Sequence, residues 1–189
     1  MDTQKRWCVI YVKSRHEKIA ESDINRRGIE TYLPMKTELH QWSDRRKWVE
    51  VPLFSGYVFV RISVTDFSCV YLANGFVKFV SLNGKPSIVP DEQVEAVRRI
   101  VESYGRDIEV IDGDYIGMNA EIIAGPLLGL HGEIIDLMNR KNFVIRIEGL
   151  EKLLSVKVPA GAIKITGTVL NPAGRGDFEL HTLGPRTRA

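Results

Sequence analysis

"VPLFSGYVFVRI", residues 51–62, decides the first half of the fold. Side chains two apart on a strand share a face, so Tyr57, Phe59 and Arg61 lie on one side. Val58, Val60 and Ile62 line the other, which is the natural core face. Pro52, Ser55 and Gly56 break the pattern just ahead of it, placing a turn where the strand begins. Two readings of the aromatic side stay open: a helix covers Tyr57 and Phe59, or they form a contact surface of the aromatic-plus-arginine kind that dominates binding hot spots.

Working outward, "RWCVIYVK" (6–13) is apolar on both alternating faces, as a central strand covered on both sides would be. "SRHEKIAESDINRRG" (14–28) has Ser14 as a cap with Glu17 three residues on, Ala20 and Ile24 inward, and Gly28 as the stop. "IETYLPM" returns as a strand, and residues 39–51 form a hairpin whose arms flank the basic tip "SDRRK". Thr65 or Asp66 caps a short helix through Leu72, ended by Asn74-Gly75. "FVKFVSLNGK" gives a strand with an Asn-Gly turn, and "PDEQVEAVRRIV" predicts a helix with acids first and arginines last.

After the acidic stretch "VESYGRDIEVIDGDY" the helical period disappears. A linker is placed at 104–114. Beyond it, "AEII", "GEIIDL", "FVIRI" and "LLSVKV" alternate with turns, and five short strands in about fifty residues predict a small barrel over 115–167. Gly125, Gly129 and Gly132 punctuate its first turn. "AGPLLGLHG" is no phosphate-cradling loop, because neither a Lys-Ser/Thr pair nor a helix follows. Residues 168–189 read as a flexible tail.

Composition narrows the function. The net charge of +2 argues against a chain held to nucleic acid over its whole surface, although residues 1–50 hold eleven basic and eight acidic side chains and residues 101–115 hold one and five. No apolar run approaches the roughly 18 residues of a membrane span, and no signal-peptide pattern opens the chain. The expectation is a cytoplasmic monomer with no membrane contact. Cys8 and Cys69 sit in apolar segments and are expected as buried thiols. His16, His40, His131 and His181 are scattered, with no metal spacing and no nucleophile motif, so neither enzyme activity, nor metal, nor cofactor is expected.

Taken together, "WCVIYVKSRHEKIAE", "YLPM", "FSGYVFV" and "GKPSIVPDEQVEAV", followed by "GPLLGLHGEI" with Gly132 at the motif glycine, resemble the NusG transcription elongation factors from about residue 5 to 167. The compact run "YLPMKTELHQWSDRRKWVEVPLFSGYVFV" is most similar to the specialised RfaH and UpxY type. The resemblance implies an α+β amino-terminal domain over 1–103, an antiparallel sheet flanked by helices, joined by the linker to an SH3-like KOW barrel. It implies that Phe54, Tyr57 and Phe59, with Tyr11, bind the clamp coiled coil of RNA polymerase's largest subunit; Ser55 stands where proline is usual.

Further partners follow from the same resemblance. Ser63, Thr65, Asp66 and Ser68 occupy the region that approaches the second large subunit, although helix capping by Thr65 or Asp66 explains the same residues without a partner and is the favoured reading. Arg45, Arg46 and Lys47 on the hairpin, with Lys13, Arg15 and Lys18 on a second basic edge, are placed to reach non-template DNA in the transcription bubble; solvated tips and cross-strand tryptophans are the plain alternative. Leu127 and Leu130 are the barrel-loop positions that would meet a small-subunit ribosomal protein. Glu148 before Gly149 replaces an aromatic and argues against Rho. The implied activity is antitermination, operon-specific and of the polysaccharide type. The alternatives are a general NusG-type factor coupling polymerase to ribosome or Rho, and a free-standing KOW-type RNA-binding protein.

Overall fold

The computed structural model describes residues 4–42, 45–82, 84–112, 117–137, 140–147, 150 and 152–168. Strand β1 (Arg6–Val12) leads into helix α1 (Glu17–Arg26), β2 (Glu30–Tyr32), β3 (Met35–Gln41), β4 (Arg46–Pro52) and β5 (Tyr57–Ile62). A 3-10 turn and α2 (Phe67–Tyr71) precede β6 (Phe76–Phe79), the short β7 (Ser81–Leu82), β8 (Lys85–Pro86) and β9 (Ile88–Val89), and α3 (Asp91–Tyr104). Then come β10 (Ile108–Asp112), β11 (Met118–Ile122), β12 (His131–Leu137), β13 (Arg140–Ile147), β14 (Lys152–Val156) and β15 (Ile163–Thr168).

The first sheet runs β2-β5-β1-β6, with β9 also pairing β1, and its ladders are antiparallel. Its central strands are apolar on both sides because both sides are covered. Cys8, Ile10, Val58 and Val60 pack with Ala20 and Ile24 of α1 and Val70 of α2. Trp7, Val9 and Phe59 face the other way, into the cluster of Val94, Val97 and Ile100 from α3. Burying a side chain of Phe59's size contributes about 2–3 kcal/mol, so the helix-covered reading of this strand face wins at that position.

Two caps differ from expectation. His16, not Ser14, precedes α1 and makes no side-chain cap bond; Glu17 is instead buried, its Oε1 accepting the Gly56 backbone N–H at 2.8 Å. Asp66 does stand at the N-cap position of α2 but makes no side-chain cap bond there; its carboxylate instead reaches back to Ser63, which opens the preceding 3-10 turn, and accepts from both its N–H and its hydroxyl at 2.8 Å. The Ser63 N–H holds the Asp66 carboxyl below the usual range. A box of this kind satisfies donors that the first turn leaves free, from either end.

Six strands, ordered β10-β14-β13-β12-β11-β15, form the second antiparallel sheet. The added strand is β10: residues 108–112, inside the stretch read as a linker, pair with β14 from Ile108↔Val156 to Asp112↔Lys152. Ile108, Val110 and Ile111 alternate with acids there, a strand pattern that the density of negative charge obscures. Ile134, Phe143, Ile145 and Leu154 join the α3 cluster, so one apolar core runs from the first sheet through α3 to the second. Arg99 reinforces the join by donating to the carbonyls of Pro126 at 3.1 Å and Leu128 at 2.9 Å. Gly132 is required where β12 meets β13: a Cβ there would lie 2.5 Å from the Val144 carbonyl oxygen and 2.6 Å from Phe143 Cζ.

Candidate functional site

The turn before β5 sets the site. Gly56 sits at φ +81, a left-handed conformation that side chains other than glycine's resist. Its N–H is held by Glu17 and its carbonyl accepts from Val12 N–H at 2.8 Å. The residues that look like strand breakers thus bind the β5 start to both β1 and α1. A Cβ on Gly56 would meet Tyr11 Cε2 at 2.8 Å, so the glycine also leaves room for that ring.

Tyr11 and Tyr57 are direct partners in the β1–β5 ladder, with ring centroids 5.3 Å apart and planes at 62°. An edge-on pair of this kind contributes about 0.5–1.5 kcal/mol beyond its burial. Tyr11 is 37% exposed and Tyr57 half-buried. Both line an open depression of about 840 Å³ with Tyr71, Phe76, Val77 and Phe79. Tyr71 packs edge-on against Phe76 and Phe79, at 5.3 and 5.5 Å, yet stays 59% exposed. The depression is therefore an aromatic-lined surface with Lys78 and Ser81 among its polar residues, of a kind suited to receiving apolar side chains.

Phe54 and Phe59 take no part in it. They are 1% and 0% exposed and meet each other at 6.1 Å, edge to face. Phe59 also lies 6.1 Å from Tyr32, over which Arg98 of α3 stacks at 4.2 Å. Burial pushes the Tyr32 phenol up to about 12, so it stays neutral across the physiological range. Arg61, the third residue on this face, bridges Glu30 at 3.3 Å and Asp91 at 3.0 Å and so ties β5 to β2 and α3. α3 makes a core of the end of β5 that sequence reasoning offered to a partner.

Tyr71, Phe76 and Glu17 were missed. Tyr71 and Phe76 lie 14 and 19 residues beyond Tyr57 on other elements, and no local pattern links them. Glu17 was read as part of a helix cap, where its type and spacing suit that role equally well.

The basic residues divide. Lys13, Arg15 and Lys18 are exposed around the β1–α1 turn, Arg15 at φ 63. Arg45, Arg46 and Lys47 are exposed on the β3–β4 hairpin, while Ser43 and Asp44 at the tip lie outside the described residues. In the second sheet, Gly125 and Gly129 adopt φ +86 and +78, as the turn requires. Leu127 and Leu130 are not presented by their loop: they are 1% and 8% exposed, within the shared core, and Leu128 is the apolar loop residue facing solvent, at 59%. Asn83, Glu148-Gly149, positions 113–114 of the expected linker and residues 169–189 of the expected tail also fall outside the described residues.

Cys8 is buried, which pushes its thiol up, and Cys69 is half-buried; both are free. Among the described residues no three His, Cys, Asp or Glu side chains gather as a metal site. No helix among them is long and apolar enough to cross a membrane.

Residues 5–98 match the NusG family model, described as "Transcription termination factor nusG". No curated protein sequence matches the chain. The structure "Domain interaction in Thermotoga maritima NusG" superposes with a TM-score of 0.52 at 19% identity, covering 86% of this chain and 97% of that one, and so shares its fold. Two conformations of the MjSpt4:Spt5 complex align at 14% identity with TM-scores of 0.28 and 0.29, covering 85% and 87% of this chain and 98% and 99% of those chains.

Proposed function

We propose that this chain, whose residues 5–98 constitute a NusG family domain, is a transcription elongation factor that binds RNA polymerase through the Tyr11–Tyr57 depression. The observation that carries this reading is the conjunction of that domain with the partly exposed Tyr11–Tyr57 pair, where Gly56 leaves room for the Tyr11 ring. The occupant is the tip of the clamp coiled coil in the largest subunit, an apolar helix pair docking in an aromatic-lined groove. The second large subunit is a further contact, on the side of Ser63–Asp66. Bridging the two would hold the polymerase closed and pause-resistant, a population shift produced by binding one state better. A tenfold change in pausing needs only about 1.4 kcal/mol of differential affinity.

The second sheet is proposed as the KOW barrel. Its turn glycines and the close approach at Gly132 support that reading. The barrel presents Leu128 to a partner such as a small-subunit ribosomal protein. The role we favour is operon-specific antitermination of the RfaH and UpxY type, supported by the compact run from Tyr32 to Val60, with Arg45, Arg46 and Lys47 reaching non-template DNA. The chain acts in the cytoplasm, without a cofactor.

The test is a single-round pausing assay with purified polymerase. Wild type shortens pauses and folded Tyr57→Ala does not. Pause lifetimes that stay unchanged at saturating wild-type protein contradict the reading.

A further inference from the structure

Two turns of this chain are built alike. Gly56 and Gly75 stand at φ +81 and +83, and each is followed at once by an aromatic residue of the depression, Tyr57 and Phe76. Their carbonyls accept from consecutive backbone N–H groups of one segment: Val12 donates to Gly56 and Lys13 to Gly75, both at 2.8 Å. Each turn is gripped again a few residues along that segment. Glu17 Oε1 accepts the Gly56 N–H at 2.8 Å, and His16 lies so close to Gly75 that a Cβ on the glycine would stand 2.6 Å from His16 Cβ.

Residues 12–17 thus hold the Tyr57 and Phe76 walls of the depression at once. The segment folds back on itself at Arg15, at φ 63 the one non-glycine residue with positive φ among the described residues, and His16 N–H donates to the Lys13 carbonyl at 3.0 Å. A side chain resists that conformation unless its surroundings over-determine it, and strain of this kind gathers at functional sites. Glu17 is unusual as well. It is 6% exposed, the only buried carboxylate among the described residues, and a buried charge is costly unless a donor compensates it. Capping of α1 does not explain either residue: His16 at the N-cap makes no side-chain cap bond, and Glu17 reaches a backbone N–H on another element.

We propose that the β1–α1 turn is a positioning device for the depression, in which Glu17, itself too buried to meet a partner, fixes Tyr57 relative to Tyr11 and Phe76. A partner's apolar side chains then meet rings whose spacing is set before docking, so the cost of ordering them is not met on binding. The functional consequence rests on the proposed binding of polymerase at the depression; the geometry does not.

The test uses the full chain and reads geometry and affinity separately. In the NMR spectrum of the protein alone, wild type shows a nuclear Overhauser contact between the Tyr11 and Tyr57 rings, whose centroids are 5.3 Å apart. Glu17→Ala, shown to be folded by circular dichroism, loses that contact, and its affinity for core RNA polymerase falls about tenfold, the scale of one hydrogen bond to a charged group. Glu17→Gln keeps an oxygen that accepts the Gly56 N–H and restores both readouts. Arg15 supplies a second pair of variants at an exposed position, and the pair decides if Glu17→Ala does not fold. Arg15→Gly suits the left-handed turn and Arg15→Val resists it, so the valine variant binds about fivefold more weakly than the glycine variant, although both lack the charge. A ring contact retained in folded Glu17→Ala, equal effects of Glu17→Ala and Glu17→Gln, or equal behaviour of the two Arg15 variants would each overturn the positioning role. Loss of the ring contact with polymerase affinity unchanged would support that role and remove polymerase from the depression, so the two readings fail separately.

Discussion

Tyr57 and Phe59 point to the same side of one strand, two residues apart, and meet opposite fates. Phe59 lies beneath α3 with no exposure, while Tyr57 sits with Tyr11 at the rim of an open depression. The difference comes from where α3 lies: Val94, Val97 and Ile100 pack with Trp7, Val9 and Phe59, and the Tyr11–Tyr57 pair stands beside that cluster. One strand face is therefore core at one end and lines an open depression at the other. Shared side does not mean shared role.

That contrast can be broken from either end. Phe59→Ala should cost about 3–5 kcal/mol of folding stability, measured by chemical denaturation, because it removes a fully buried ring and leaves a cavity between the sheet and α3. If Phe59 were a docking residue instead, its loss would leave stability nearly intact. Gly132→Ala comes next, at about 1–3 kcal/mol, since the new methyl would press on the backbone of β13.

Gly56→Ala sharpens the comparison. It forces a side chain into a left-handed turn and against the Tyr11 ring, so it should lower stability by about 1–2 kcal/mol and weaken polymerase binding in the same variant. Tyr57→Ala should change stability less than Phe59→Ala while reducing polymerase affinity about 30-fold, as loss of an aromatic hot spot does. The smallest effect is Asp66→Asn, about 1 kcal/mol or less in thermal melts. The folded Asp66 carboxyl is held low, so its contribution is present above the ordinary Asp pKa and fades as pH falls below about 3.8. Wild type and Asp66→Asn should therefore converge in stability on acidification.

Much of this molecule was legible in its residues, for physical reasons. β1, β5 and α3 carry their periods openly, and the hairpin is announced by its charged tip between two extended arms. The aliphatic side of β5 reads correctly as core, but that its aromatic side is covered as well at Phe59 does not, because the covering helix lies some thirty residues further along and period alone does not say where it docks. β10 hid behind its acids. The resemblance offers Leu127 and Leu130 as exposed barrel-loop positions, yet both are buried beside the turns at Gly125 and Gly129. Tyr11 was found only through the resemblance, and the depression it shares with Tyr71 and Phe76 is a product of tertiary packing.

The measurement that tests the central claim most directly is the equilibrium affinity of core RNA polymerase for wild type, Tyr11→Ala/Tyr57→Ala and Arg99→Ala, each confirmed as folded. Tight binding is expected of wild type, with at least a 30-fold loss in the double tyrosine variant and no loss in Arg99→Ala, a residue of α3 that faces the loop of the second sheet. Wild-type affinity in the folded double variant would contradict that claim and move the polymerase contact to another surface.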